Sequence, residues 1–386
     1  MQVSHSIWRM GFRPFFLFST LYGVLVMGLW VGALQGWWKM PVNGIEWHAH
    51  EMLVGFLGGI FGGFLLTASS NWTKTRGLHG TGLLLLWLGW LAGRLAFLFQ
   101  WWWPQPWQLW LDLLFLPTLT AVLWPLLWKR EQLRNIPILF WLSSLCLFQF
   151  FFLADWTGLL QGWSRTALFG MLGVEIFLLL LIGGRILPFF TSRILQDRPV
   201  TKWVMMDRLA LGIAAVFVFS VAIFGIQHTA TGVLAILTGA TALLRSFTWS
   251  GWRTGGTPLL AVLHVGWFWI VVAFALLAMA SFGVLPLRAG VHAMTVGGLS
   301  IFVLGMISRV SLGHTGRPLT ASRWMAVAYL LLLVAAILRV LPAIRPWIDY
   351  HHSLLWSGLL WCAAFLVFVI EYAPILWSPR ADGRDG

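Results

Sequence analysis

Charge is what this sequence has least of. Only 10% of its 386 residues are Asp, Glu, Lys or Arg, against about 25% in an ordinary soluble domain. The mean hydropathy of +0.83 and a hydrophobic share of 59% complete the picture. Such a chain cannot cover itself with a water-facing surface, so a soluble fold is excluded. Cysteine is scarce too. Cys146 and Cys362 each sit alone in an apolar run, which excludes a disulfide framework and leaves them as small buried hydrophobes. No Cys-x-x-Cys-His attachment motif, phosphate-cradling glycine loop or Ser-centred nucleophile motif occurs, which argues against covalent haem and ATP use. Carboxylates number 12 against 25 cations, a net charge of +13. The cations lie singly between apolar runs, so nucleic acid is not the expected partner. No small-residue cleavage site follows the first apolar run, which reads as a retained helix.

What is abundant is length of apolar sequence. About 20 residues cross the hydrocarbon, and twelve runs suffice, at roughly 14–35, 47–69, 79–100, 108–128, 136–156, 166–187, 203–225, 229–245, 258–280, 289–311, 323–342 and 353–376. The eighth is short and rich in Thr and Gly. Connections are short, so residues 1–386 read as a single integral membrane domain, all-α and polytopic. Tryptophans (28) and phenylalanines (29) gather near run ends as interfacial anchors do. With the N-terminus inside, 19 Lys and Arg fall on inner segments and 5 on outer ones, and Arg94 lies within the third span. This bias places both termini in the cytoplasm.

The chain echoes itself. His50-Glu51-Met52-Leu53-Val54-Gly55 matches His292-Ala293-Met294-Thr295-Val296-Gly297 at four of six positions. Spans six and ten align without gaps through Gly173 and Gly297, Arg185 and Arg309, Thr191 and Thr315, and Arg193 and Arg317. Matches in spans two, six and ten suggest three units of four helices.

Polar residues inside apolar spans are costly and mark candidate sites. On this topology His48, His50 and His292 all lie near the outer face. Two imidazoles on facing helices can clamp a porphyrin, so His50 and His292 are candidate haem ligands, with polar interhelical contact as the alternative. The glycines after each histidine would admit a flat macrocycle or serve close helix packing. His48 and His50 point about 200° apart on a regular helix, so His48 suits a separate rim site, with Glu51 on its own face. His351, His352 and His228 fall at the same rim as candidate copper ligands or as water-facing residues. His264, near the inner side of span nine, is a packing residue or an inner ligand. Glu175, mid-span, calls for a proton or for pairing with Arg94 or Arg185, and stands as a candidate catalytic or proton-relay group. Arg317, in the Gly313-His314-Thr315-Gly316-Arg317-Pro318 turn, suits a carboxylate or a lipid phosphate. His292 and His314 are 22 residues apart at about 1.5 Å each, too far to share a metal.

Gly11-Phe12-Arg13-Pro14-Phe15-Phe16, Trp47-His48-Ala49-His50-Glu51-Met52, Gly184-Arg185-Ile186-Leu187-Pro188-Phe189-Phe190-Thr191, and His292-Ala293 through the Gly313–Pro318 turn resemble the NnrS family of bacterial haem- and copper-containing membrane proteins of the nitric oxide response. The resemblance spans nearly the whole chain. It implies haem b and copper, a bacterial cytoplasmic membrane location, and nitric oxide or metal-nitrosyl species as partners in resistance to nitrosative stress. His50 and His292 would then hold haem. His48, His351 and His352 would contribute to copper, with His264 a further metal candidate. Arg185, Arg309 and Arg317 would anchor propionates. Redox turnover of nitric oxide, served by an electron donor, is the expected activity. A non-enzymatic sensor or carrier and a proton-coupled transporter using Glu175 and His264 remain alternatives, so enzyme status stays open. The chain is also distantly similar to the catalytic subunit of haem-copper oxidases, with twelve helices in pseudo-threefold symmetry. Spans six and seven lack the metal-binding histidines of those enzymes.

Overall fold

In lipid every backbone N–H and C=O must find its partner within the chain, which leaves helices as the solution for such a sequence. The computed structural model describes residues 6–40, 43–102, 106–196, 200, 203–345 and 347–383, and these form helices and connections without strands. Twelve helices are long and apolar enough to cross a membrane: α1 (Phe12–Leu34), α2 (Gly44–Thr73), α3 (Gly80–Leu98), α4 (Pro106–Leu127), α5 (Ile136–Trp156), α6 (Ser164–Ile194), α7 (Val204–Phe224), α8 (Thr229–Phe247), α9 (Pro258–Ser281), α10 (Leu287–His314), α11 (Arg323–Ile344) and α12 (Tyr350–Trp377). The protein is a multi-pass membrane protein. Large apolar side chains such as Leu85, Phe219, Ile223 and Ile370 stay exposed, as lipid-facing positions do. Trp37, Trp102 and Trp347 are exposed near helix ends, where indole suits the interface. Of the cations counted for topology, Arg198, Lys202 and Arg384 lie outside the described residues.

The chain divides into two compact units: Met1–Val174 with Val310–Pro318 and Val369–Gly386, and Glu175–Arg309 with Leu319–Phe368. Helices α1 to α5 belong to unit 1, and α7, α8, α9 and α11 to unit 2.

Lipid tails are as apolar as leucine, so helices associate through close packing and polar contacts. In unit 1 a stripe of Gly55, Gly59 and Gly63 on α2 lets α1 come close. A Cβ on Gly63 would lie 2.7 Å from Phe15 Cβ and 3.4 Å from Phe12 Cα, and one on Gly55 would lie 2.7 Å from the Tyr22 ring. Protein therefore fills the space beside these glycines, as close helix packing does. The same holds in unit 2, where Trp269 covers Gly297 and Ile270 covers Gly298. Gly63→Ala is expected to cost about 1–3 kcal/mol by overpacking, read as a lowered thermal midpoint in detergent.

Two helices break their winding at matching places. In α2 the segment Glu51–Gly58 is π-helical, and in α10 so is Ala293–Ser300. Each begins immediately after the histidine of the six-residue echo. A π-turn inserts one residue, rotates the upstream half of the helix against the downstream half, and recurs at functional sites. Asp155, at the end of α5, accepts from the backbone N–H of Trp163 (2.8 Å) and Ser164 (2.5 Å) and so caps α6.

Candidate functional site

His50 and Glu51, at the start of the π-turn of α2, are both fully buried in unit 1. Glu51, expected on the face of His48, lies with His50 in the structure. From α3, Arg94 reaches across (1% exposed). Its Nη1 donates to both Glu51 oxygens, at 2.8 and 2.7 Å, and its Nη2 to Asp112 Oδ1 on α4. Tyr22 of α1 donates its hydroxyl to Glu51 Oε2. Gln149 of α5 donates Nε2 to Asp112 Oδ2 at 2.7 Å and to the Asp112 carbonyl at 3.1 Å. Trp90 Nε1 donates to the Gly55 carbonyl at 3.0 Å, serving a backbone group within the π-turn. Five helices thus contribute to one closed polar cluster.

His50 completes it. Its Nδ1 lies 2.8 Å from Glu51 Oε1, and its Nε2 lies 3.0 Å from Asp112 Oδ2 without hydrogen-bond alignment. Phe97 and Phe152 stack on the ring with centroids at 4.3 and 4.5 Å. Glu51 and Asp112 bring two negative charges and Arg94 one positive charge. A buried site tolerates little net charge, so one proton shared among His50 and the carboxyls closes the balance, and the coupled groups exchange it as a unit. The arrangement can hold and position a proton.

A haem carried on His50 Nε2 does not fit this arrangement. The macrocycle would need the volume of the Asp112 carboxyl, and aromatic rings cover the imidazole. His292, in unit 2, is engaged on both nitrogens. Its Nδ1 donates to the Arg288 carbonyl at 2.8 Å, and its Nε2 accepts from Arg339 Nη2 at 2.9 Å. Arg339 Nη1 in turn donates to Tyr350 Oη at 2.7 Å. Each echo histidine thus adjoins an arginine from the next helix in the chain.

The other candidates are dispersed. His48 stacks on Trp30 with ring planes 11° apart. His264 Nε2 meets Thr191 Oγ1 at 2.9 Å, and since that hydroxyl already donates to the Leu187 carbonyl, the imidazole is the donor. The contact joins α9 to α6. His351 and His352 are exposed, and His352 Nδ1 lies 2.6 Å from Asp349 Oδ2. The His352 side chain and its backbone N–H hold the Asp349 carboxyl below its usual range. Among the described residues no group of three or more His, Cys, Asp or Glu could hold a metal ion. His228 caps α8 by accepting from Ala230 N at 3.2 Å.

Arg309 lies 3.9 Å over the Phe190 ring, Arg185 is half-buried, and Arg317 Nη1 contacts the Thr315 carbonyl at 3.4 Å. Glu175 is buried, and neither of its oxygens has a hydrogen-bond partner. The expected pairing with Arg94 is replaced by the Glu51 and Asp112 bridges. Arg185 sits ten residues along the same helix, about 15 Å away, out of reach.

Sequence reasoning missed Asp112, Tyr22 and Gln149. Each carries a signal: an acid in an apolar run, one of four tyrosines in the chain, and an amide amid phenylalanines. No curated protein matches the chain. A family model described as NnrS protein matches residues 6–380, nearly all of the sequence. With nearly the whole chain matched, it belongs to the NnrS family.

Proposed function

We propose that this protein acts in the nitric oxide response, in a bacterial cytoplasmic membrane with both termini inside, and that its working centre is the cluster around Arg94. The protein handles nitric oxide or a metal-nitrosyl species, and the cluster supplies and takes up the proton that goes with it. One observation carries this reading: His50, Glu51, Arg94 and Asp112, all essentially inaccessible, close on one another with a charge balance that depends on a single proton. Intramembrane ionisable groups in such a setting mark relays and coupling sites. The nitric oxide assignment draws on family membership. Haem on His50 is left out of this reading because the Asp112 carboxyl and two aromatic rings occupy the space around its imidazole, while both nitrogens of His292 are engaged.

A second reading, a proton-coupled carrier, is favoured by Glu175, a mid-span carboxyl with no hydrogen-bond partner. One experiment addresses both. Membrane vesicles carrying the wild type, Asp112→Asn or Glu175→Gln are loaded with a pH dye and given anaerobic pulses of nitric oxide with a reductant. Wild-type vesicles are expected to move protons on each pulse, and Asp112→Asn to slow this roughly 10²-fold, the usual scale for losing a positioned proton donor. Equal rates in wild type and Asp112→Asn defeat the cluster reading. Selective loss in Glu175→Gln moves the carrier ahead.

A further inference from the structure

A cavity of ≈ 520 Å³ opens at the end of unit 1 where α1 begins and α2 ends. It is not part of the Arg94 cluster, and its chemistry is distinct. Arg9, Arg76 and Arg380 line it together with His314, Ser70 and Asn71. Arg9, Arg317 and Arg380 all stand within electrostatic reach of the buried Arg13. Five guanidiniums therefore share one small region.

Among the described residues carboxylates do not balance them. Asp382 takes Arg380 in a two-point pair, at 2.8 and 2.6 Å, and raises that guanidinium above its ordinary range. Among the described residues neither Arg9 nor Arg76 pairs with a carboxylate. Arg13 spends Nη1 on the carbonyls of Leu376 and Ser378, at 2.8 and 2.7 Å. Its Nε and Nη2 are buried without a partner.

The wall is built rather than incidental. Arg380 Nη1 donates to the His314 carbonyl at 3.0 Å, and Ala381 N donates to the Thr315 carbonyl at 2.9 Å, so the segment after α12 is strapped over the Gly-His-Thr-Gly-Arg-Pro turn. Gly316 adopts φ +70° there with the Asp382 carboxyl against it, a conformation that favours glycine. Thr67 accepts from Phe12 N at 3.0 Å while donating to the Gly63 carbonyl at 2.8 Å, which fixes the back wall.

Like charges gathered around a concave space, with guanidinium forks and hydroxyl and amide donors on its rim, form the environment that oxyanions occupy. The volume exceeds what one inorganic anion fills, and Met10, Leu66 and Leu78 supply apolar wall for an attached organic part. We propose that this cavity binds a phosphate group borne by a larger molecule, either an anionic phospholipid headgroup reached from the bilayer or a soluble phosphate compound reached from water. The site stands independently of the nitric oxide reading.

The test uses full-length protein, delipidated in detergent, titrated with orthophosphate and separately with short-chain phosphatidylglycerol at constant ionic strength, with calorimetry as the readout. Arg9 and Arg76 are exposed, so Arg9→Gln/Arg76→Gln is expected to fold, shown by a monodisperse elution profile and unchanged tryptophan emission. Saturable wild-type binding that weakens at least about tenfold in the double variant is expected, on the scale of losing charge-assisted pairs. Binding of the lipid alone assigns the headgroup source; binding of orthophosphate as well assigns the soluble one. If the double variant does not fold, Arg76→Lys replaces it, with an expected loss of about threefold because a lysine cannot form the fork. No saturable binding of either probe, or undiminished affinity in the folded variant, overturns the proposal and leaves these arginines as topology determinants only.

Discussion

Arg94→Leu is expected to cost about 3–5 kcal/mol and to leave little folded protein in the membrane, because it strips two buried carboxylates of their shared counter-charge. Glu51 and Asp112 are both essentially inaccessible. With the guanidinium gone, two like charges face each other with only His50, Tyr22 and Gln149 to answer them. The loss exceeds what deleting a surface pair would bring, where about 0–1 kcal/mol is usual. Arg94→Lys is expected to fall between, since an ammonium supplies the charge but not the fork that reaches both carboxylates. Adding Glu51→Gln and Asp112→Asn to Arg94→Leu should recover much of the folded yield, because the charges that needed Arg94 are then absent. Yield by fluorescence-detected gel filtration and the thermal midpoint in detergent report the effect. A wild-type midpoint for Arg94→Leu would show that the bridges contribute nothing.

Much of this architecture is written in the sequence. Apolar length alone locates all twelve helices, and the eighth, short and rich in Thr and Gly, forms as Thr229–Phe247. Helix ends are less legible. Helix α6 runs on to Ile194 and α10 to His314, past the expected ends at 187 and 311, because polar Thr, Ser, Arg and His interrupt the apolar run without interrupting the helix. His50 stands out as a polar residue in an oily run, but its partners do not. Depth along a span can be counted from sequence; which helices face each other cannot. Depth alone therefore offers Glu175 a proton or pairing with Arg94 or Arg185, while the fold gives Arg94 to Glu51 and Asp112. Asp112 lies near the start of its span and reads there as a rim residue. The π-turns are hidden for a different reason: one extra residue per turn leaves no compositional trace. Only the echo between His50–Gly55 and His292–Gly297 marks where both occur. The glycines beside them admit two readings, macrocycle or close packing, and side-chain positions are needed to choose.

Asp112→Asn and His50→Gln should abolish protection while sparing the fold. Each keeps a hydrogen-bonding group of similar size where the charged or titrating one stood, so Arg94 retains Glu51 and the helices keep their packing. What disappears is one of the titratable groups on which the proposed proton balance depends. A bacterial strain lacking its own copy, complemented with the wild type or either variant at matched membrane levels, is challenged anaerobically with a nitric oxide donor. The wild type is expected to restore growth, and both variants to grow no better than the empty vector. Wild-type failure would refute the nitric oxide assignment. Full protection by both variants, at equal levels of folded protein, would contradict the claim that the Arg94 cluster is the working centre.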